Sequence, residues 1–314
     1  MTKMINDTIG IDISKAHLDA HRLSTATHAR FDNTAAGLRA FERWLGQTSP
    51  ERVVFEPTGP YHRRFESHFS GRLPLVKVNP LQARRFAQAH GTRAKTDAVD
   101  ARMLALMGRA LELVPDQPTD PKQRELKELH VARTGLVRDR TALMNRLGTQ
   151  QLDVTRRLTR ARLRQVNHQI DRLNAEIERR NRDCPKRARA IGILTSIPGI
   201  GAITARALLS ECPEIGTLGS KQIAALAGLA PIIRQSGQWS GKAHIQGGRR
   251  LLRESLFMPA LVAMKRNPDL SQKYDALRAA VKPHKVALAV LMRKHLILAN
   301  TLISENREWT PKHP

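Results

Sequence analysis

The run Thr8-Ile9-Gly10-Ile11-Asp12-Ile13 constrains the chain more than any other stretch, because its apolar residues scarcely alternate with polar ones. Such a run predicts a central strand covered on both faces. A carboxylate inside it is costly unless a cation or hydrogen-bond donors satisfy it. A second strand follows at His17–Leu23 and a third, short one at Ala29–Phe31. The apolar run Arg52–Phe55 ends on Glu56, which enters the strand-stopping turn Pro57-Thr58-Gly59-Pro60. Leu38, Phe41 and Leu45 recur at helical spacing within Ala35–Leu45. A helix over Tyr61–Phe69, a strand over Leu73–Val78 and a helix opened by Asn79-Pro80 complete the order of a mixed sheet with helices packed on it.

The stretch Arg93–Met107, RAKTDAVDARMLALM, predicts an alanine-rich helix after Lys95 or Thr96. Asp97 and Asp100 are three apart and leave it on one side, with Val99, Met103, Leu106 and Met107 expected on the other, against the sheet. Each acid has an ordinary structural reading: a strand-end acid is commonly a turn or cap residue, and a first-turn Asp stabilises its helix through the dipole. As a set, Asp12, Glu56, Asp97 and Asp100 are hard oxygen donors suited to Mg²⁺ or Mn²⁺. Two such ions about 4 Å apart orient a nucleophile and stabilise a leaving oxygen in phosphoryl transfer.

Charge names a partner for that chemistry. The formal net charge is +25, and the excess lies in the middle and at the end: 17 basic against 13 acidic residues in 1–121, 19 against 8 in 122–189, and 17 against 7 in 190–314. Such an imbalance fits a polyanion, whose counterions are released on binding. No run of about 18 consecutive apolar residues occurs, and the N-terminus leads straight into a strand. A protein with no membrane partner is therefore expected, cytoplasmic and nucleoid-associated. Cys184 and Cys212 lack the spacing of a metal knuckle.

Pro115, Pro118 and Pro121 mark a linker. Beyond it Leu129, Leu136 and Leu143 recur at seven with Leu126 and Leu147 beside them, and Leu163, Val166, Ile170, Leu173 and Ile177 step by three and four. Two helices with coiled-coil faces, antiparallel or intermolecular, are expected to break at Leu152–Thr155. Arg156, Arg157, Arg160 and Arg164 crowd the second; such a run is ordinarily a solvated face, and here it also suits a nucleic-acid backbone.

Residues 193–205, ILTSIPGIGAITA, have the form of a helix-hairpin-helix around Pro198-Gly199-Ile200-Gly201. Gly199 and Gly201 would let backbone N–H groups approach a phosphate; a plain helix–helix turn is the bland alternative. Ile197, Ile200, Ile203 and Leu208 are its expected core. A short helix, IAALAGLAP, leads to the polar loop Arg234–Lys242, and helix resumes in HIQGGRRLLR. In that loop Ser236 is followed by Gly237, near Arg234 and Lys242, with Arg249 and Arg250 beyond. A serine among cations can hold or attack a phosphate, although the hydroxyl is weak without a base or metal, and serine in a glycine loop is commonplace. Farther on, a helix from Leu251 to Met264 is expected to kink at Pro259, and helices are expected at Tyr274–Ala280 and from Val286 to Ile303. His284 and His295 read as surface or backbone-contacting, and residues 305–314 as a mobile tail.

Four segments, GIDISK (10–15), FEPTG (55–59), VNP (78–80) and KTDAVDAR (95–102), resemble the first domain of the DEDD insertion-sequence transposases. LAGLAP (226–231), SGQWSGK (236–242) and Gly247-Gly248-Arg249 resemble the C-terminal domain of the same family. Ser240, Ala243 and Gln246 depart from its pattern, which bears on phosphate affinity and target preference. The resemblance implies a ribonuclease H-like, resolvase-like α/β domain at 1–118, a helical coiled-coil and nucleic-acid-binding region at 119–188, and a mostly α C-terminal domain at 189–314. It implies metal-binding acids at Asp12, Glu56, Asp97 and Asp100, a serine nucleophile at Ser236, and donor and target DNA as partners. It further implies a noncoding bridge RNA as guide and a homo-oligomer, dimer or tetramer, in which one subunit's serine completes another's acidic site. The rival expectations are a hydrolytic, structure-selective endonuclease like a Holliday-junction resolvase, using the acids alone, and a non-catalytic nucleic-acid-binding protein.

Overall fold

The computed structural model describes residues 7–311 except 48, 58, 92–95, 119, 234 and 238, and at 239 the backbone only. The chain forms two compact units, residues 1–120 and 121–314.

The first unit is a five-stranded sheet, ordered β3 (Thr27–Asp32), β2 (His17–Arg22), β1 (Thr8–Ile13), β4 (Arg52–Phe55), β5 (Leu75–Lys77). The first three strands form an antiparallel meander, and β4 and β5 add in parallel through crossovers carrying α1 (Ala35–Leu45) and α2 (His62–Phe69). Strand alternation sends Ile9, Ile11 and Ile13 to one face, where they meet Leu38, Phe41, Phe65 and Phe69 of those helices. On the other face Val54, Val76 and Val78 pack with Leu104 and Met107 of α4 (Asp97–Ala110), next to Phe86 of α3 (Pro80–Ala89). The Asn79 side chain caps α3 by accepting from Leu81 N–H at 2.8 Å. This is the mixed sheet that the strand pattern announced, and the ribonuclease H-like fold that the resemblance implied.

Close approach of α4 to β1 depends on Gly10: a Cβ there would lie 2.0 Å from Ala101 O and 2.4 Å from Ala105 N. The stripe of α4 over Gly10 is therefore small, Ala101, Ala105 and Gly108; of the four large residues expected against the sheet, Met103 and Met107 are buried, while Val99 and Leu106 are only half-buried and Leu104 takes part instead. Gly108 sits over Thr8 and Val54, and Ala101 over Gly10, so α4 runs antiparallel to β1. Its N-terminal turn, with Asp97 and Asp100 on the sheet-facing side, arrives beside Asp12.

The second unit opens with α5 (Pro121–Thr149) and α6 (Asp153–Arg182), which fold back on each other within the chain. Arg133 Nε donates to Asn174 Oδ1 at 2.6 Å, Arg180 pairs with Glu125, and Leu143 packs with Val166 and Ile170 beside Leu163, so the pairing is antiparallel. At the base of the hairpin, the buried Gln123 amide donates to the carbonyls of Leu209 and Ser210, both at 3.0 Å, near the end of α8 (Ala202–Glu211).

The rest is a helical core of α7 (Pro185–Ser196), α8, α9 (Ser220–Leu226), α10 (Arg250–Ser255), α11 (Phe257–Arg266), α12 (Pro268–Ala279) and α13 (His284–Ser304). Pro259 lacks the N–H that would bond to Ser255, and the chain breaks there into α10 and α11 instead of kinking one helix. By length and composition α13 could cross a membrane, yet its apolar side, Leu288, Leu291, Leu296, Ala299 and Leu302, is buried in this core. Two expectations are corrected here. His295 is fully buried among apolar neighbours, which push its imidazole down to about 4. As far as Trp309 the C-terminal segment is tied down, by Trp309 N–H donating to Ser196 Oγ at 2.8 Å and by Arg189 pairing with Glu308 at 2.6 Å.

Candidate active site

Asp12 leaves β1 on the face covered by α4, two residues beyond the glycine that admits the helix. Burial, and then the negative charges of Asp100, Asp97, Glu56 and Asp19, push its carboxyl up to about 6. The sheet brings Glu56, just past β4, alongside β1, and α4 brings Asp97 and Asp100 from above. Three of the four acids singled out in the sequence thus act on the carboxyl of the fourth.

A fifth acid was missed. Asp19 pairs with Asp12 across β1 and β2, is 2% exposed, and meets Arg30 of β3 in the next register position. Arg30 Nε donates to Asp19 Oδ1 at 3.0 Å, and its Nη2 donates to Asp97 Oδ2 at 3.0 Å. His28 Nε2 lies 3.1 Å from the same Asp19 oxygen. One guanidinium therefore links the buried Asp19, cross-strand partner of the half-buried Asp12, to the first turn of α4. Only cross-strand register exposes this set, and hydropathy along one strand carries no trace of it.

Among the described residues no three His, Cys, Asp or Glu side chains form a metal-holding group as placed. The donor set nevertheless suits a hard divalent cation: carboxylates converge on one whose acidity is already suppressed by like charge, and the Arg30 cation sits on Asp97.

Ser236 lies in the second unit, in a finger rather than a plain loop. β6 (Pro231–Ile232) pairs with β9 (His244–Ile245), and β7 (Gln235–Ser236) pairs with β8 (Trp239–Ser240), so two short antiparallel ladders are nested along the chain, with Ser236 at the last rung of the inner pair. Ser236 is exposed, and among the described residues its hydroxyl has no hydrogen-bond partner. Lys242 is exposed lower on the finger; Arg234 lies outside the described residues.

Arg249 secures the base of the finger. Its guanidinium makes a two-pronged pair with Glu214, at 2.6 and 2.7 Å, and donates to Glu211 O at 2.8 Å, while its N–H reaches Leu226 O at 2.7 Å. The hydrogen bonds and charge of Arg249 outweigh burial and lower the Glu214 carboxyl. Arg250 is exposed but paired with Glu254 at 2.5 Å, a carboxylate that Arg138 also reaches at 3.1 Å.

The helix-hairpin-helix forms from α7 and α8. Gly199, at φ +101°, meets α11 so closely that a Cβ would lie 2.7 Å from Pro259 O, whereas Gly201 is open and exposed at the start of α8. Ile197, Ile200 and Leu208 are buried as expected, but Ile203 is 51% exposed. On α6, Arg157, Arg160 and Arg164 are exposed, while Arg156 is half-buried and donates to Gln150 O at 2.9 Å in the hairpin bend.

Comparison with known proteins bears on both units. The profile of the DEDD transposases of IS110 type matches residues 9–156, and that of the transposase IS116/IS110/IS902 family matches residues 192–275. The pilin gene-inverting protein of Moraxella bovis is 30% identical over 96% of this chain and 97% of its own length, and that of Moraxella lacunata is likewise 30% identical. The insertion element IS900 uncharacterized 42 kDa protein of Mycobacterium paratuberculosis is 34% identical over 48% of this chain and 36% of its own. A likeness that runs through both units in the same order places the chain in the IS116/IS110/IS902 family of transposases, and DNA transposition and recombination is its general activity.

Proposed function

We propose that the chain recombines DNA through a serine-linked intermediate, using the acids of the first unit and Ser236 of the second. The observation that carries this reading is the convergence of Glu56, Asp97 and Asp100 on Asp12, whose carboxyl burial and then these like charges push up to about 6. Acids brought together at such electrostatic cost suit a divalent cation, Mg²⁺ or Mn²⁺, held by Asp12, Glu56, Asp97 and Asp100. Bound there, the ion would supply charge stabilisation at the scissile phosphate.

Ser236 Oγ attacks phosphorus; a 5′-phosphoserine bond forms as the P–O3′ bond breaks, and the serine proton ends on the departing 3′-hydroxyl. The phosphodiester energy is kept in the new ester, so a strand can be rejoined without an external energy source. The exposed position of Ser236 at the end of a finger suits a nucleophile that must reach a backbone phosphate. Lys242 can orient that phosphate, while Arg249, bound to Glu214, positions the finger. The acids and the serine lie on separate units, which suits an oligomer whose active site is composite. Guidance by a noncoding RNA is the reading that the family resemblance favours.

Denaturing gels and peptide mass spectrometry test this with two inactive chains, Ser236→Ala and Asp12→Ala. Neither alone forms a protein–DNA adduct, and mixing them restores an adduct on Ser236 when serine and acids come from different subunits. An adduct on another residue, or cleavage by the Ser236→Ala chain alone, overturns the nucleophile. Nicked DNA with no adduct from the wild type would make the chain a hydrolytic nuclease.

A further inference from the structure

The turn between α12 and α13 holds a β-branched residue in a strained backbone conformation, with its side chain turned out to solvent. α12 ends in a Schellman motif: Lys282 N–H donates to Leu277 O and Val281 N–H to Arg278 O, both at 3.0 Å. Val281 thereby takes φ +56°, the left-handed position where glycine is usual and a β-branched side chain is strained. It is 88% exposed, and Val286, at the start of α13, is 47% exposed.

The turn is also rigid. Arg278 Nη1 donates to Lys282 O at 2.7 Å, and the Tyr274 hydroxyl lies 2.8 Å from His284 Nδ1. Lys273, Lys282 and Lys285 are exposed around it, and among the described residues none of them joins an ion pair. Asp275 is the one acid between residues 270 and 304. A strained apolar tip, held rigidly among unneutralised lysines, matches a polyanion that offers apolar surface between its charges.

We propose that this turn contacts duplex DNA, with Val281 against base edges or a base step and Lys282 and Lys285 on flanking phosphates. Phosphate contacts fix register and carry the salt dependence. An apolar side chain in a groove adds a contact that depends on the bases or on their deformability. Strain of this kind persists where function holds the residue in place. The inference rests on the family's action on DNA and is independent of the serine and the acids.

The experiment uses the full chain and a fluorescent duplex, with anisotropy titrations over a salt series and thermal unfolding in parallel. Val281→Gly and Val281→Asn accept the left-handed backbone without the apolar surface. Each is expected to raise Tm by about 2 °C while weakening duplex binding about tenfold. Val281→Leu, which keeps that surface, retains wild-type affinity. Changing Lys282 and Lys285 together to Gln lowers the salt slope by nearly two. A higher Tm with unchanged duplex affinity for Val281→Gly overturns the inference, as does a loss confined to structured RNA, or a change of oligomer size with duplex affinity intact. Failure of the wild type to bind any duplex would sink this inference and the DNA reading together, whereas failure of this inference alone leaves wild-type binding and the Ser236 adduct in place.

Discussion

Asp12 sets the chemistry and the stability of the first unit against each other. Its carboxyl titrates at about 6 in the folded chain, against 3.8 as the ordinary value, so the native state binds this proton more tightly than the unfolded state. The group's contribution to stability is therefore fully present below about pH 4 and is lost as pH rises through about 6. Asp12→Asn is neutral at every pH. In a chelator at pH 8 it should be more stable than the wild type by about 1–2 kcal/mol, after discounting for the carboxyl's partial exposure, and the advantage should vanish near pH 4. The same variant should not cleave DNA. Denaturant titrations at the two pH values check this, and a variant less stable than wild type at pH 8 would show that the acids are not in repulsive contact. Asp12 was legible because a carboxylate in an unbroken apolar strand has few structural excuses. Asp19 was not, because its importance lies in what the adjacent strands place beside it. Arg249 shows the same limit: beyond the polar loop it reads as a phosphate contact, and only the fold reveals that Glu214, 35 positions away, holds it.

At the scale of elements, strands and helices were legible wherever one period dominated. α1 was expected at Ala35–Leu45 and is found there, and the turn of Asn79-Pro80 starts α3 as its cap chemistry requires. The packing face of α4 was half legible: Met103 and Met107 are buried as expected, but Val99 and Leu106 were given the sheet although a helix lying on Gly10 must present alanine and glycine there. The serine segment read as loop because its two-residue strands are too short to carry a period. On α6 the four arginines separate into three that are exposed and one that serves the bend. Replacing Arg157, Arg160 and Arg164 by Gln should reduce the slope of log affinity against log salt by about one per lost phosphate contact and leave Tm unchanged. Arg156→Gln should lower Tm with little change in slope. Salt-series gel shifts and calorimetry on the two variants decide it, and a common salt slope for both would remove α6 from the nucleic-acid surface.

For the whole molecule, the charge asymmetry along the sequence becomes a division of labour: the unit carrying the acids is nearly balanced, and the unit carrying the serine and the hairpin is strongly basic. The long heptad-like stripes left open whether they would be filled within one chain or by a second; the two helices pair within one, and Leu129, Leu136, Leu147, Leu163 and Leu173 stay half-buried. Leu143, Val166 and Ile170 close on one another, and the seam is sealed by Arg133 with Asn174 and by Glu125 with Arg180. A coiled coil completed by its own chain makes folding a first-order event: refolding rates of dilute protein should not vary with concentration over a hundredfold range, and stopped-flow fluorescence measures this directly. A rate that climbs with concentration would mean the seam is shared. For the composite active site proposed above, assembly would then be a later, reversible step governed by how many copies a cell holds, so that a newly made or scarce protein would be fully folded and still unable to recombine.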